Sequence, residues 1–147
     1  MSRFLESLVV MSILAVGCVD GHARKKSSDP YPAGYVTQGG LTWRPNNLTP
    51  LKAWPKSNDY CKQLAVNGLM GWRLPTLAEV IALYGSRALV SNKADKKYWN
   101  FRYATWTSDL HSTKAWSSVI LGDGKVADKG VGTKVGAISC VHENGDL

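Results

Sequence analysis

Apolar positions follow two different rhythms along this chain. Leu77, Val80, Ile81 and Tyr84 recur at i, i+3, i+4 and i+7, the stripe of a helix with one face on a core. The stretch Gly71-Trp72-Arg73-Leu74-Pro75-Thr76 sets where that helix begins. Pro75 has no backbone N–H and biases Leu74 toward an extended conformation, so no helix runs through it. Thr76 and Glu79 have the spacing of a capping box. Trp72 and Leu74 alternate around Arg73, which points both apolar groups inward and the guanidinium elsewhere. An earlier helix carries Tyr60, Cys61, Leu64 and Ala65 on one face, with Ser57 or Asn58 as its cap and Asn67-Gly68 as its end.

Elsewhere the pattern is that of strands. Tyr35-Val36-Thr37 and Leu41-Thr42-Trp43 flank Gln38-Gly39-Gly40, a hairpin with Trp43 in the core. Arg44 to Pro55 holds three prolines and two asparagines and reads as a loop. Further strands are predicted at 104–108, 115–121 and 125–127, the last two joined by a turn at Gly122-Asp123-Gly124. A continuous strand over 135–141 closes the sheet. Two short helices followed by antiparallel strands make an α+β domain.

The first residues bear on the compartment. Arg3 precedes the apolar run Leu8 to Val16, which is too short to span a bilayer comfortably and resembles a signal peptide occupying residues 1–23. Ala15-Val16-Gly17-Cys18 resembles a lipobox, with Cys18 as the lipidated first mature residue. Gly21-His22-Ala23 offers cleavage after Ala23 instead. Residues 24–34 read as a flexible tether and 35–147 as the folded domain. The expected location is the outer membrane, as a lipoprotein, or the periplasm or cell surface. With Cys18 set aside, Cys61 and Cys140 remain. An even pair in an exported chain reads as a disulfide, closing a loop of about 80 residues and contributing about 4 kcal/mol in the chain-entropy view.

Charge narrows the partners. With 18 basic and 11 acidic residues the chain carries +7, which favours anionic polysaccharide, lipid headgroups or nucleic acid. Loss of the leader would remove Arg3, Glu6 and Asp20 and leave the rest more basic. Between Ser86 and Arg102, cations interleave with aromatics. A loop lying across the domain there would present Lys93, Lys96, Lys97 and Arg102 to an anion, with Tyr98 and Trp99 as flat faces beside them. The same interleaving also suits an ordinary loop held down by its aromatics. Catalysis is not expected. His22, His111 and His142 lie far apart, and no nucleophile or phosphate-loop spacing occurs, although Asp109 and His111 share one side of an extended segment.

Taken together, Gly40-Leu41-Thr42-Trp43, Tyr60-Cys61, Gly71-Trp72-Arg73-Leu74-Pro75-Thr76 with Glu79, Trp106-Thr107-Ser108, Ala115-Trp116-Ser117 and Cys140-Val141 resemble a bacterial domain family. It is the family of the C-terminal domain of the Legionella collagen-like adhesin, and the resemblance runs from about Tyr35 to His142. It implies a C-type-lectin-like α+β fold, two short helices on twisted antiparallel strands, and a helix-to-last-strand disulfide. It also implies an envelope or surface location, and for the adhesin itself, binding of sulfated glycosaminoglycans. In this frame Trp43, Trp72, Arg73, Pro75, Thr76, Glu79, Trp106 and Trp116 are structural. The chain departs from the family in lacking a Gly-X-Y stalk and in having His142 where Arg is more usual. The calcium-dependent sugar motifs of true C-type lectins are absent too, so no metal and no cofactor is expected. The expectation is an exported module binding an anionic glycan in adhesion, with no nucleic acid as partner. The alternative is a periplasmic protein–protein module: an inhibitor, an immunity protein or a surface-assembly component.

Overall fold

The computed structural model describes residues 31–90, 97–112, 115–130 and 135–144. The leader with Cys18 and Ala23, the tether up to Pro30, and Lys93 and Lys96 of the expected binding loop lie outside the described residues. Among the described residues the architecture is α+β, with eight strands and two helices in the order β1 (Val36–Gln38), β2 (Leu41–Trp43), β3 (Lys52–Ala53), α1 (Trp54–Gln63), α2 (Leu77–Gly85), β4 (Ala104–Ser112), β5 (Ala115–Ile120), β6 (Val126–Gly130), β7 (Val135–Gly136) and β8 (Val141–Glu143). Three small antiparallel sheets result: β1-β2-β8, β3-β7 and β4-β5-β6.

The first hairpin forms as the sequence predicts. Gln38 pairs with Leu41, leaving a two-residue loop in which Gly39 (φ 62°) and Gly40 (φ 73°) both adopt left-handed backbone. Residues with side chains rarely adopt that conformation twice in succession. The second helix is also as expected at its start: Glu79 N donates to Thr76 Oγ1 at 3.2 Å and Thr76 N donates to Glu79 Oε2 at 2.7 Å. The Leu77 amide, another orphan donor of the first turn, donates to the carboxylate of Asp109 on β4. Asp109 is thus engaged with a helix terminus, where negative charge is favoured.

Three features differ from the pattern reading. Helix α1 begins at Trp54, not after Ser57 or Asn58, because Pro55 fits the first turn, where its missing N–H is no loss. Ser57 lies buried inside it, its hydroxyl donating to Ala53 O at 2.9 Å. The helix stops at Gln63, so Ala65 is outside it. Asn67-Gly68 instead turns a miniature hairpin in which Val66 and Leu69 exchange both backbone bonds, at 3.0 and 2.9 Å. In α2 the buried residues are Val80 and Leu83, with Leu77 half-buried, whereas Ile81 and Tyr84 are 44% and 39% exposed. The core contact is set by i, i+3, i+6, a narrower stripe than the sequence suggests.

The third difference is the largest. The stretch 135–141 is not one strand of one sheet; it passes from sheet to sheet. Val135 and Gly136 pair with Ala53 and Lys52. Ala137 bridges Thr105 in parallel, its N–H donating to Ala104 O and its carbonyl accepting from Trp106 N. Arg44 N donates to Cys140 O at 2.8 Å, and Ser139 Oγ donates to Arg44 O at 2.6 Å. Val141 then lies between Trp43 on β2 and Arg73, exchanging both backbone bonds with Arg73. Gly136 has to be glycine here: a Cβ would stand 2.8 Å from Trp106 Nε1 and 3.0 Å from Ala104 O.

Two apolar clusters fill the interior. One contains Trp43, Val80, Leu83, Leu89, Trp99, Val119, Leu121 and Val141; the other contains Cys61, Trp72, Leu74, Trp106, Ile138 and Cys140. Trp72 and Leu74 point inward, at 2% and 1% exposed. Arg73 points outward to a bidentate contact with Glu79, at 2.8 and 2.9 Å, and to Glu143 at 3.3 Å. The expected disulfide is present: Cys61 on α1 bonds Cys140, immediately before β8, across 79 residues of chain.

Two outcomes follow. Replacing Cys61 and Cys140 together with Ser will lower stability by about 2–5 kcal/mol in denaturant titration. The hydrogen bonds from Arg73 hold the Glu79 carboxyl below its ordinary value of 4.5. Its folded-state pKa is therefore depressed, so its contribution is full above about pH 4.5 and is lost as acid titrates the folded carboxylate. Wild type will lose more stability on acidification through that range than Glu79→Gln, measured by the denaturation midpoint.

Candidate functional site

Asn46 fixes the surface with the strongest claim to a ligand. It is 1% exposed, yet carries an amide, and its side chain bonds Asn100, ahead of β4, and Thr105, within it. Its Nδ2 donates to Asn100 O at 3.0 Å and Thr105 Oγ1 at 2.9 Å, and its Oδ1 accepts from Asn100 N at 2.7 Å. Beside it, Asn47 N donates to Tyr98 O and Asn47 Nδ2 to Lys97 O, both at 3.1 Å. Asn100 Oδ1 then accepts from the amides of Arg102 and Tyr103, closing a side-chain turn. Two loops that are proline-rich or polar in sequence are thereby locked to each other.

The locked loops display Lys97, Arg102 and Tyr103. Lys97 and Arg102 are exposed, and Tyr103 is 49% exposed. Lys97 Nζ sits 5.1 Å from the centre of the Tyr98 ring, over its face. A cleft of about 360 Å³ opens alongside, lined by Asn47, Thr49, Leu51, Asn100 and Tyr103 among others. Amide and hydroxyl groups next to an aromatic face suit a polar ligand with one flat apolar side.

The structure changes the role of one predicted site residue. Trp99 offers no face to a ligand: it is fully buried, packs in the first cluster, and its Nε1 donates to Gly34 O at 2.8 Å. Burial of its large apolar ring outweighs display on the surface, and the indole N–H finds a backbone acceptor there. Tyr98 is half-buried against Gly34. Lys97 and Arg102 are both exposed on this segment, and the exposed ring beside them in sequence is Tyr103. The sequence reading missed Asn46, Asn47 and Tyr103. The two asparagines signalled a loop but not that one of them would be buried.

A second polar grouping lies behind Thr49. Arg44 is 8% exposed, its Nη1 donating to Thr49 Oγ1 at 2.8 Å and its guanidinium carbon lying 5.3 Å from the centre of the Tyr60 ring. The Thr49 hydroxyl in turn bonds the Tyr60 hydroxyl at 3.2 Å. Tyr31, Tyr35 and Trp72 stand next to this group as an aromatic cluster, Tyr31 and Tyr35 stacked with centroids 5.7 Å apart. Tyr31, inside the segment expected to be tether, therefore packs with the domain.

A third surface is apolar. Trp54 and Trp116 stack face to face with centroids 3.4 Å apart, Trp54 Nε1 donating to Thr107 O at 2.8 Å. Ile81 and Leu110, 44% and 59% exposed, line a depression of about 470 Å³ with Asp109 and His111. Among the described residues, no group of three His, Cys, Asp or Glu side chains is placed to hold a metal ion, and no helix is long and apolar enough to cross a membrane.

No family model and no curated protein matches this chain. Among solved structures it is similar to the Yersinia pseudotuberculosis adhesin InvE, with a TM-score of 0.55 and 14% sequence identity. The match covers 75% of this chain and 34% of that one, so the chain spans about a third of the adhesin's length. At that identity the likeness is one of fold.

Asn46→Ala will strand the Asn100 amide and carbonyl, lowering stability by about 2–3 kcal/mol in denaturant titration. Hydrogen exchange at the Asn100, Arg102 and Tyr103 amides will quicken more than exchange in β5.

Proposed function

We propose that this chain is an exported binding module of the cell envelope that recognises an anionic glycan. The observation that carries the reading is the locked loop pair. It holds two exposed cations, Lys97 and Arg102, together with the half-exposed ring of Tyr103 and an amide-lined cleft. A flexible loop would have to be ordered on binding; this one is already fixed by Asn46, which lowers that entropic cost. Sulfate or carboxylate groups along a polysaccharide would meet several cations at once, each contact weak and the sum salt-sensitive.

Supporting arguments come from three directions. The net charge of +7 favours an anionic partner. A disulfide closing the domain suits an oxidising compartment, in keeping with the apolar leader and with Cys18 as a lipid anchor. The fold shared with part of an adhesin supports adhesion as the use, and the resemblance to the collagen-like adhesin's C-terminal domain adds the expectation of a C-type-lectin-like scaffold. The Trp54–Trp116 stack and exposed Leu110 favour a second reading, a protein–protein module docking on that apolar face.

Heparin chromatography with a salt gradient tests the first reading. Wild type is expected to elute well above a neutral control protein. Lys97→Ala/Arg102→Ala and, separately, Tyr103→Ala will elute at lower salt with unchanged melting temperature. Elution of wild type with the control would overturn the glycan reading.

A further inference from the structure

Arg44 poses a problem of charge. A guanidinium remains protonated in proteins, and taking one out of water is costly unless an anion pairs with it. Arg44 is 8% exposed, and it is not a member of the ion pairs seen among the described residues, such as Arg73 with Glu79 and Glu143 or Lys125 with Asp123. Its neighbours are neutral: the Thr49 hydroxyl, the Tyr60 ring and the Tyr35 hydroxyl. Burial pushes the Tyr35 phenol above its ordinary value against the pull of Arg44, so it supplies no negative charge.

The group is nevertheless not sealed. At 8% exposure, part of its surface remains open to solvent. The guanidinium is held rigidly. Arg44 N donates to Cys140 O, Ser139 Oγ donates to Arg44 O, and Nη1 donates to Thr49 Oγ1, so its backbone is tied beside the disulfide. Around it stand the half-buried rings of Tyr31, Tyr35 and Tyr60.

We infer that Arg44, with Tyr35 and Tyr60 beside it, is a recognition site for the carboxylate of an acidic sugar. A planar carboxylate matches the guanidinium fork and would supply the missing counter-charge. The tyrosine rings offer the faces against which a sugar ring packs, which a bare inorganic anion would not use. Thr49 joins this site to the amide-lined cleft, since it lines the cleft and also accepts from Arg44. The inference takes its ligand class from the glycan reading above and rests on it for that, but assigns different residues and a single-residue ligand.

The test is a titration of the nitrogen-15-labelled, disulfide-bonded protein with sodium galacturonate, galactose and sodium acetate at constant ionic strength. Saturable shifts of the Arg44 Nε–Hε signal and of the Tyr35 and Tyr60 rings are expected with galacturonate. The same signals should respond far less to galactose or acetate. Arg44→Lys keeps the charge but loses the fork and should weaken binding by about tenfold or more. The Lys97→Ala/Arg102→Ala protein should bind galacturonate as wild type does. Should Arg44→Lys fail to fold, the wild-type shifts decide. Unmoved Arg44 signals, or equal shifts with acetate, would overturn the inference, as would loss of binding in the Lys97/Arg102 protein with Arg44 signals unchanged. Failure on heparin alone leaves this readout intact, so the two readings fail separately.

Discussion

The bond between Cys61 and Cys140 anchors the segment that every part of this domain shares. Each sheet is small, with three, two and three strands, and none has the area to stand alone in water. What unites them is the run from Val135 to Val141, which pairs in turn with β3, β4, Arg44, β2 and the extended stretch at Arg73. Fixing this run costs the conformational entropy of a chain returning from 79 residues away. The disulfide reduces that cost by cross-linking the unfolded chain between the same two points. Trp106 and Ile138 pack around it, so the cross-link sits inside an apolar cluster.

The same economy shapes the ligand-facing side. Polar residues are buried where they join loops: Asn46 holds the segment before β4, and Ser139 and Arg44 hold the seam. Because these groups are satisfied internally, exposed side chains such as Lys97, Arg102 and Tyr103 are displayed from a fixed backbone. Arg44 is the exception among them, a buried charge with neutral neighbours. Its backbone is tied beside the disulfide through Cys140 and Ser139.

Local signals were legible where one or two residues dictate a conformation. Pro75, Thr76 and Glu79 set the start of α2, and Gly39-Gly40 set the first hairpin, because backbone sterics and capping act over a few residues. The reading erred where a local preference had more than one use. Ser57 is a good cap residue, yet with Pro55 in the first turn the cap falls four residues earlier, at Ala53. Asn67-Gly68 stops a helix or turns a hairpin equally well.

The sequence by itself determined the two helices, most strand positions, the inward Trp72 and Leu74, the pairing of the domain's two cysteines and the positive charge. Each follows from spacing, parity or count. Tertiary structure alone decided that 135–141 serves several sheets, that Trp99 is core while Tyr103 is surface, and that Asn46 joins two loops. The reason is that an aromatic ring among cations satisfies either environment on paper. Only the volume left by Trp43, Leu83 and Leu89, and a carbonyl at Gly34 within reach of the indole N–H, determine which ring is buried.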